Sequence, residues 1–134
     1  EKEKTRIAHI EKNKKRFGTI NLKIIHANAP DGLKALPTPD AIFIGGGGKD
    51  INKIIDVCSK RIKQRGRIVV NAITLETLSS ATEFFKKSGW DIEVTAMNIA
   101  KTKLVPAGLK QGDIASLHLF NAYNPVFVVV GEKP

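Results

Sequence analysis

Pro39-Asp40-Ala41-Ile42-Phe43-Ile44-Gly45-Gly46-Gly47-Gly48-Lys49-Asp50 is the stretch whose reading decides the fold. Residues 41–44 are an apolar run too short for a helix, held between Pro-Asp and four glycines, which reads as a strand buried on both faces of a parallel sheet. A helical pattern follows over residues 51–64, through Ile51, Ile54, Ile55, Cys58 and Ile62. Glycines between such a strand and its helix let the backbone approach a ligand closely, at the carboxyl edge where open α/β sheets bind small molecules. We therefore expect a small-molecule site here. Taken alone, the stretch also fits a merely flexible strand-to-helix loop.

Toward the N-terminus, Pro37-Thr38-Pro39 breaks the chain, because each proline biases the residue before it away from helix. Residues 33–36 read as a short helical piece, and Asn28-Ala29-Pro30-Asp31-Gly32 as a turn. Asn-Leu-Lys-Ile-Ile-His-Ala over residues 21–27 reads as a strand. Residues 5–17 set Ile7, Ile10 and Phe17 among Lys and Arg at helical spacing, with Gly18 as the stop.

Toward the C-terminus, residues 67–72 are a β-branched run that reads as a second buried strand, and residues 74–88 return to helical spacing up to Gly89. Residues 90–98 alternate through Ile92, Val94 and Ala96 as a strand does. Residues 101–122 hold two glycines, a proline and weak periodicity, so we expect mainly a functional or oligomer loop there, with a strand near 115–120. Residues 125–130 form the last strand. Alternation of strands and helices, then strands in succession, predicts a three-layer α/β sheet closed by antiparallel pairing.

With 134 residues, 42% of them hydrophobic, the chain can bury one core, so a single domain spanning 1–134 is expected. No apolar run reaches the roughly 18 residues of a membrane helix, and the charged start lacks a signal peptide's apolar stretch, so we expect a cytoplasmic protein. The one cysteine, Cys58, falls in an apolar helical pattern and is expected as a core thiol. His9, His26 and His118 have no metal-ligand spacing, and no metal site is expected.

Twenty-two basic against 13 acidic side chains give a formal charge of +9, and residues 1–34 hold nine Lys or Arg against four acids. Such a balance suits nucleic acid, a small molecule carrying several carboxylates, or simply a solvated lysine-rich face. Only Phe17 interleaves with the basic cluster, so the row of stacking aromatics of a single-strand binder is missing.

The segments EKEKTRIAHIEKNKKRFG, HANAPDGL, PDAIFIGGGG, GRIVVNAITLETL and NPVFVVVGEKP resemble, in that order, the decarboxylating precorrin-6Y C(5,15)-methyltransferase family of cobalamin biosynthesis, with its separate C(15)-methylating form. FIGG and VVNAITLET are the most specific parts. The resemblance implies a Rossmann-like class I methyltransferase sheet with a C-terminal antiparallel hairpin, and S-adenosylmethionine as cofactor. The family's first strand and glycine-rich loop would lie before Glu1, so the chain is expected to be the C-terminal two thirds of the domain.

Carried over by position, Glu1 resembles the acid that takes the ribose hydroxyls, and Asn28 and Ala29 the pair that reads the adenine edge. The family often has an acid where Asn28 stands. Gly45 and Gly46 resemble the floor beneath the cofactor's methionine part. Asn71, Thr74 and Glu76, and Asn124 before the last strand, are candidates for holding the tetrapyrrole, while Lys101 and Lys103 are candidates for pairing with its carboxylates. Asn71, Thr74 and Asn124 also fit structural roles, as helix caps or an Asn-Pro turn. No catalytic nucleophile is assigned, because the donor is already activated and positioning can supply the catalysis.

The implied reaction is methylation at C(15) of a precorrin or cobalt-precorrin with loss of carbon dioxide from the C(12) acetate, and the implied assembly a homotetramer. Two rivals stand beside it. An RNA methyltransferase would suit the charge, but an amino-methylating one would carry Asn-Pro-Pro-aromatic where this chain has glycines. The other rival is a non-catalytic α/β fragment that binds a partner and no cofactor.

Overall fold

The computed structural model describes residues 1–106 and 116–134. Helix α1 (Lys4–Phe17) comes first, then a 3-10 turn at Leu33–Ala35 and strand β1 (Ala41–Ile44). A second 3-10 turn at Gly48–Asp50 leads into α2 (Ile51–Arg61), followed by β2 (Arg67–Ala72), α3 (Leu75–Lys87) and β3 (Asp91–Met97). Strands β4 (Ala100–Pro106), β5 (Ser116–Ala122) and β6 (Val126–Glu132) follow.

Four strands form one sheet in the order β1-β2-β6-β3, and β4 and β5 form a separate two-stranded sheet. β1 runs parallel to β2, the arrangement that a helical crossover such as α2 permits. β6 is antiparallel to both of its neighbours, β2 and β3, so the antiparallel closure expected from the C-terminal run of strands is present.

The register sets Ile44 beside Val70 and Val70 beside Val129, so these side chains share one face of the pleat. That face is covered by Ile51, Ile54, Ile55 and Cys58 of α2 and by Ala81 and Phe85 of α3, which with Ile62, Ile68 and Trp90 make the core. Phe85 stacks on Trp90, centroids 5.3 Å apart and planes 18° apart. Cys58 is buried there, and burial pushes its thiol pKa up, as expected of a core thiol. α1 ends as its sequence predicts, on Gly18 in the left-handed region at φ 64°. No described helix is long and apolar enough to cross a membrane.

Three expectations are corrected. β1 is buried on one face only: Ile44 is 5% exposed, whereas Phe43, on the opposite face, is 68% exposed. Among the described residues, α1 has no buried residue. Residues 21–27 form no regular strand, because among the described residues Glu1 alone offers them ladder bonds. Of the stretch expected to be mainly loop, residues 101–106 and 116–122 instead belong to a regular ladder that pairs Thr102 with Phe120 and Leu104 with His118. The ladder depends on pairing between two segments separated in sequence, which a reading along one strand does not see. The strand expected near 115–120 is β5, apart from residue 115, which lies outside the described residues together with 107–114.

Candidate cofactor cleft

The glycine loop after β1 faces an open cleft of about 870 Å³, whose other walls come from the start of the chain and from residues 23–36. It brings together all five candidates for the cofactor: Glu1, Asn28, Ala29, Gly45 and Gly46.

Glu1 is placed by its backbone. Its backbone nitrogen donates to the Ile25 carbonyl at 3.1 Å, and Ala27 N–H donates to the Glu1 carbonyl at 3.2 Å, the bonding pattern of a parallel ladder. His26, between those two partners, donates from Nε2 to the Lys2 carbonyl at 2.9 Å. The side chain is oriented just ahead of α1: Oε1 accepts the N–H groups of Lys2 and Glu3, each at 2.9 Å. Oε2 lies 3.8 Å from Nη1 of Arg6. The Glu3 N–H does most to hold this carboxyl below its ordinary 4.5, against a partial loss of hydration, with the Lys2 N–H and the Arg6 guanidinium adding to it.

Asn28 stands at the head of the turn, its carbonyl accepting Asp31 N–H at 2.8 Å, and its side chain is exposed. Gly32 closes the turn at φ 79°. Ala29 is half-buried against the core, which ties this wall to the sheet.

The glycines divide by what their missing side chains would meet. A Cβ on Gly47 would come within 2.9 Å of Ile51 Cδ1 and 3.0 Å of its Cα, so packing against the start of α2 demands glycine there. A Cβ on Gly46 would meet nothing within 4 Å, and one on Gly45 only the Phe43 ring, at 3.3 Å. Neither residue has a positive φ. Packing among the described residues therefore does not require glycine at 46, and the space its bare backbone leaves lies in the cleft.

The substrate candidates are not gathered in this cleft. Asn71 sits half-buried on β2 opposite Val128. Thr74 is the N-cap of α3: its Oγ1 accepts Thr77 N–H at 3.2 Å and donates to Thr77 Oγ1 at 3.1 Å. Glu76, in the first turn of α3, lines a separate groove of about 460 Å³ with Asn52 of α2 and Ser79, Ser80 and Glu83 of its own helix. Lys101 and Lys103 lie exposed on β4, with the Lys101 ammonium 6.0 Å from the Tyr123 ring centroid. Asn124 is exposed just before β6. Among the described residues, no cluster of three or more His, Cys, Asp or Glu has the arrangement of a metal site.

The cleft also holds charged side chains that the sequence reading did not select: Lys2, Arg6, Lys23, Asp31, Lys49 and Asp50. Asp50 is paired with Lys53 at 3.2 Å. Arg6 stands in the first turn of α1, beside the chain that enters the helix.

The family model described as a precorrin methyltransferase domain matches residues 1–117. The chain belongs to this family. Among its curated relatives, the probable cobalt-precorrin-6B C(15)-methyltransferase (decarboxylating) of Saccharolobus solfataricus is 35% identical over 137 residues, which is 100% of this chain and 64% of the relative. The crystal structure of precorrin-6y C5,15-methyltransferase from Geobacter metallireducens superposes with a TM-score of 0.82 at 38% identity, covering 100% of this chain and 64% of that one. A precorrin 8w decarboxylase of Methanobacterium thermoautotrophicum superposes with a TM-score of 0.81 at 28% identity, over 98% of this chain and 66% of the other. The precorrin methyltransferase domain of this chain thus has the Rossmann-like class I sheet that its motifs imply, and spans a little under two thirds of the first relatives it matches.

Proposed function

We propose that this chain carries the cofactor cleft of an S-adenosylmethionine-dependent enzyme that methylates C(15) of a precorrin or cobalt-precorrin while the C(12) acetate loses carbon dioxide. The observation that carries the reading is the convergence of Glu1, Asn28, Ala29, Gly45 and Gly46, distant in sequence, on one cleft at the carboxyl edge of β1. Their donor set suits the group: an ionised carboxylate for the ribose diol, an amide at the turn for the adenine edge, and a bare backbone at Gly46 beside the methionine part. When bound, S-adenosylmethionine supplies a methyl group already activated by its sulfonium. This chain's residues then have to bind, orient and exclude water, with no nucleophile of their own.

The reading treats residues 1–134 as one domain and places it in the cytosol. Asn71, Thr74, Glu76 and Asn124 remain the residues we assign to the tetrapyrrole, with Lys101 and Lys103 for its carboxylates. A homo-oligomer belongs to the same proposal, a tetramer by family resemblance. It is supported by the exposed apolar row of Leu104 and Phe120 on one face of the β4–β5 ribbon, 61% and 75% exposed.

Calorimetric titration of S-adenosylhomocysteine tests the proposal, using this chain and a chimera carrying the N-terminal residues of the Saccharolobus relative before Glu1. Micromolar binding by either supports it. Binding by neither overturns it.

A further inference from the structure

Glu1 has one carboxylate oxygen to offer a ligand. Oε1 already accepts two backbone N–H groups, which uses the lone-pair sites a carboxylate oxygen has. Oε2 makes no hydrogen bond among the described residues. Its nearest cation is Nη1 of Arg6, at 3.8 Å, beyond hydrogen-bonding distance. Arg6 makes no other hydrogen bond among the described residues, and its side chain is 70% exposed on the cleft wall. An acceptor and a donor thus face one gap with neither satisfied by the other. A hydroxyl group donates once and also accepts, so a single hydroxyl can serve both.

The geometry points to Arg6 as a second binding residue for the ribose: one hydroxyl gives its proton to Glu1 Oε2 while its oxygen accepts from the Arg6 guanidinium. This rests on the cleft being a nucleoside site, and adds to it a specificity for the ribose diol held by an acceptor and a donor together. Both bonds are charge-assisted, which favours a ribose over a deoxyribose at the bridged position. Lys2 and Lys23 line the same cleft, and a mere field of positive charge would involve them equally.

The test compares S-adenosylhomocysteine with its 2′-deoxy and 3′-deoxy analogues by calorimetric titration, in whichever of the chain and the chimera binds. Arg6→Met is set beside Lys23→Met. We expect Arg6→Met to weaken S-adenosylhomocysteine about five- to tenfold while leaving one deoxy analogue nearly unchanged, and Lys23→Met to alter neither ratio. Equal losses for the ribo and both deoxy ligands, or the same pattern from Lys23→Met, would overturn the role of Arg6 and leave the cleft's assignment standing. Failure of the unsubstituted proteins to bind any of the three ligands removes the inference together with the assignment it rests on.

Discussion

The ring of Phe85 lies against the backbone of Gly131, where a Cβ would come within 2.7 Å of three ring carbons. A fully buried ring on α3 is thereby seated on the one position of β6 that can receive it. Gly131→Ala should cost about 1–3 kcal/mol by overpacking, and Phe85→Ala about 3–5 kcal/mol by leaving a cavity. Urea unfolding followed by the fluorescence of Trp90, stacked on that ring, reports both. An unchanged midpoint in Gly131→Ala would show that the ring moves aside freely.

Gly46 and Gly47 are neighbours with opposite expectations. Gly47→Ala should destabilise the fold by about 1–3 kcal/mol, because its Cβ would press on Ile51. Gly46→Ala should leave the unfolding midpoint alone and weaken S-adenosylhomocysteine binding at least tenfold. Equal affinity for Gly46→Ala and the parent would mean that no ligand approaches this backbone.

Glu1 titrates with a sign that can be worked out. Its folded-state value lies below the ordinary 4.5, so whatever stability its ionisation lends is fully present above 4.5 and is lost as pH falls through the lower folded value. A carboxyl-detected NMR titration should find the midpoint below 4.5, and Arg6→Met should raise it slightly. Cofactor affinity should decline over the same acidic range, because a protonated carboxyl is a poorer acceptor. A midpoint at or above 4.5 would contradict the hydrogen bonds from Lys2 and Glu3.

Thr74 separates a cap from a substrate contact. Thr74→Ala should cost about 1 kcal/mol, and Thr74→Asn should restore most of it, since either a hydroxyl or an amide oxygen can accept the Thr77 N–H. If Thr74→Ala leaves the unfolding midpoint unchanged but weakens tetrapyrrole binding, the hydroxyl serves the substrate instead.

Phe120 offers the test of assembly. Phe120→Glu puts a charge into the apolar row of the β4–β5 ribbon and should lower the oligomeric state in sedimentation equilibrium. The four-stranded core should unfold as before. An unaltered molecular mass would remove this row from any interface.

What the sequence made legible follows from locality. α2, α3 and β2 announce themselves because each buries one stripe or face against its neighbours, and the stripe is written at fixed spacing: Ile51, Ile54, Ile55, Cys58, or Ile68, Val70, Ala72. The cleft residues followed from motif position, and the fold brings them together. What stayed hidden depends on partners far along the chain. Phe43 lies in an apolar run yet looks outward, because burial of its face depends on a layer the run does not encode. The ribbon's ladder is written in pairs such as Lys103 with Leu119, and no window along one strand contains both. Arg6 was hidden by its company, one cation among nine in the first 34 residues.

The place of β6 between β2 and β3 governs the timetable of folding. Among the described residues β3 is joined to the rest of the sheet only through β6, although the ribosome makes β3 some 30 residues earlier. Until β6 has been made, β2 is paired on one side only, with β1, and β3 has no edge to join. Pairings of Arg67 with Glu132 and of Asp91 with Glu132 then close at a single late event. Pauses in synthesis between β3 and β6 should therefore be the interval in which this protein is most exposed to chaperones and to aggregation.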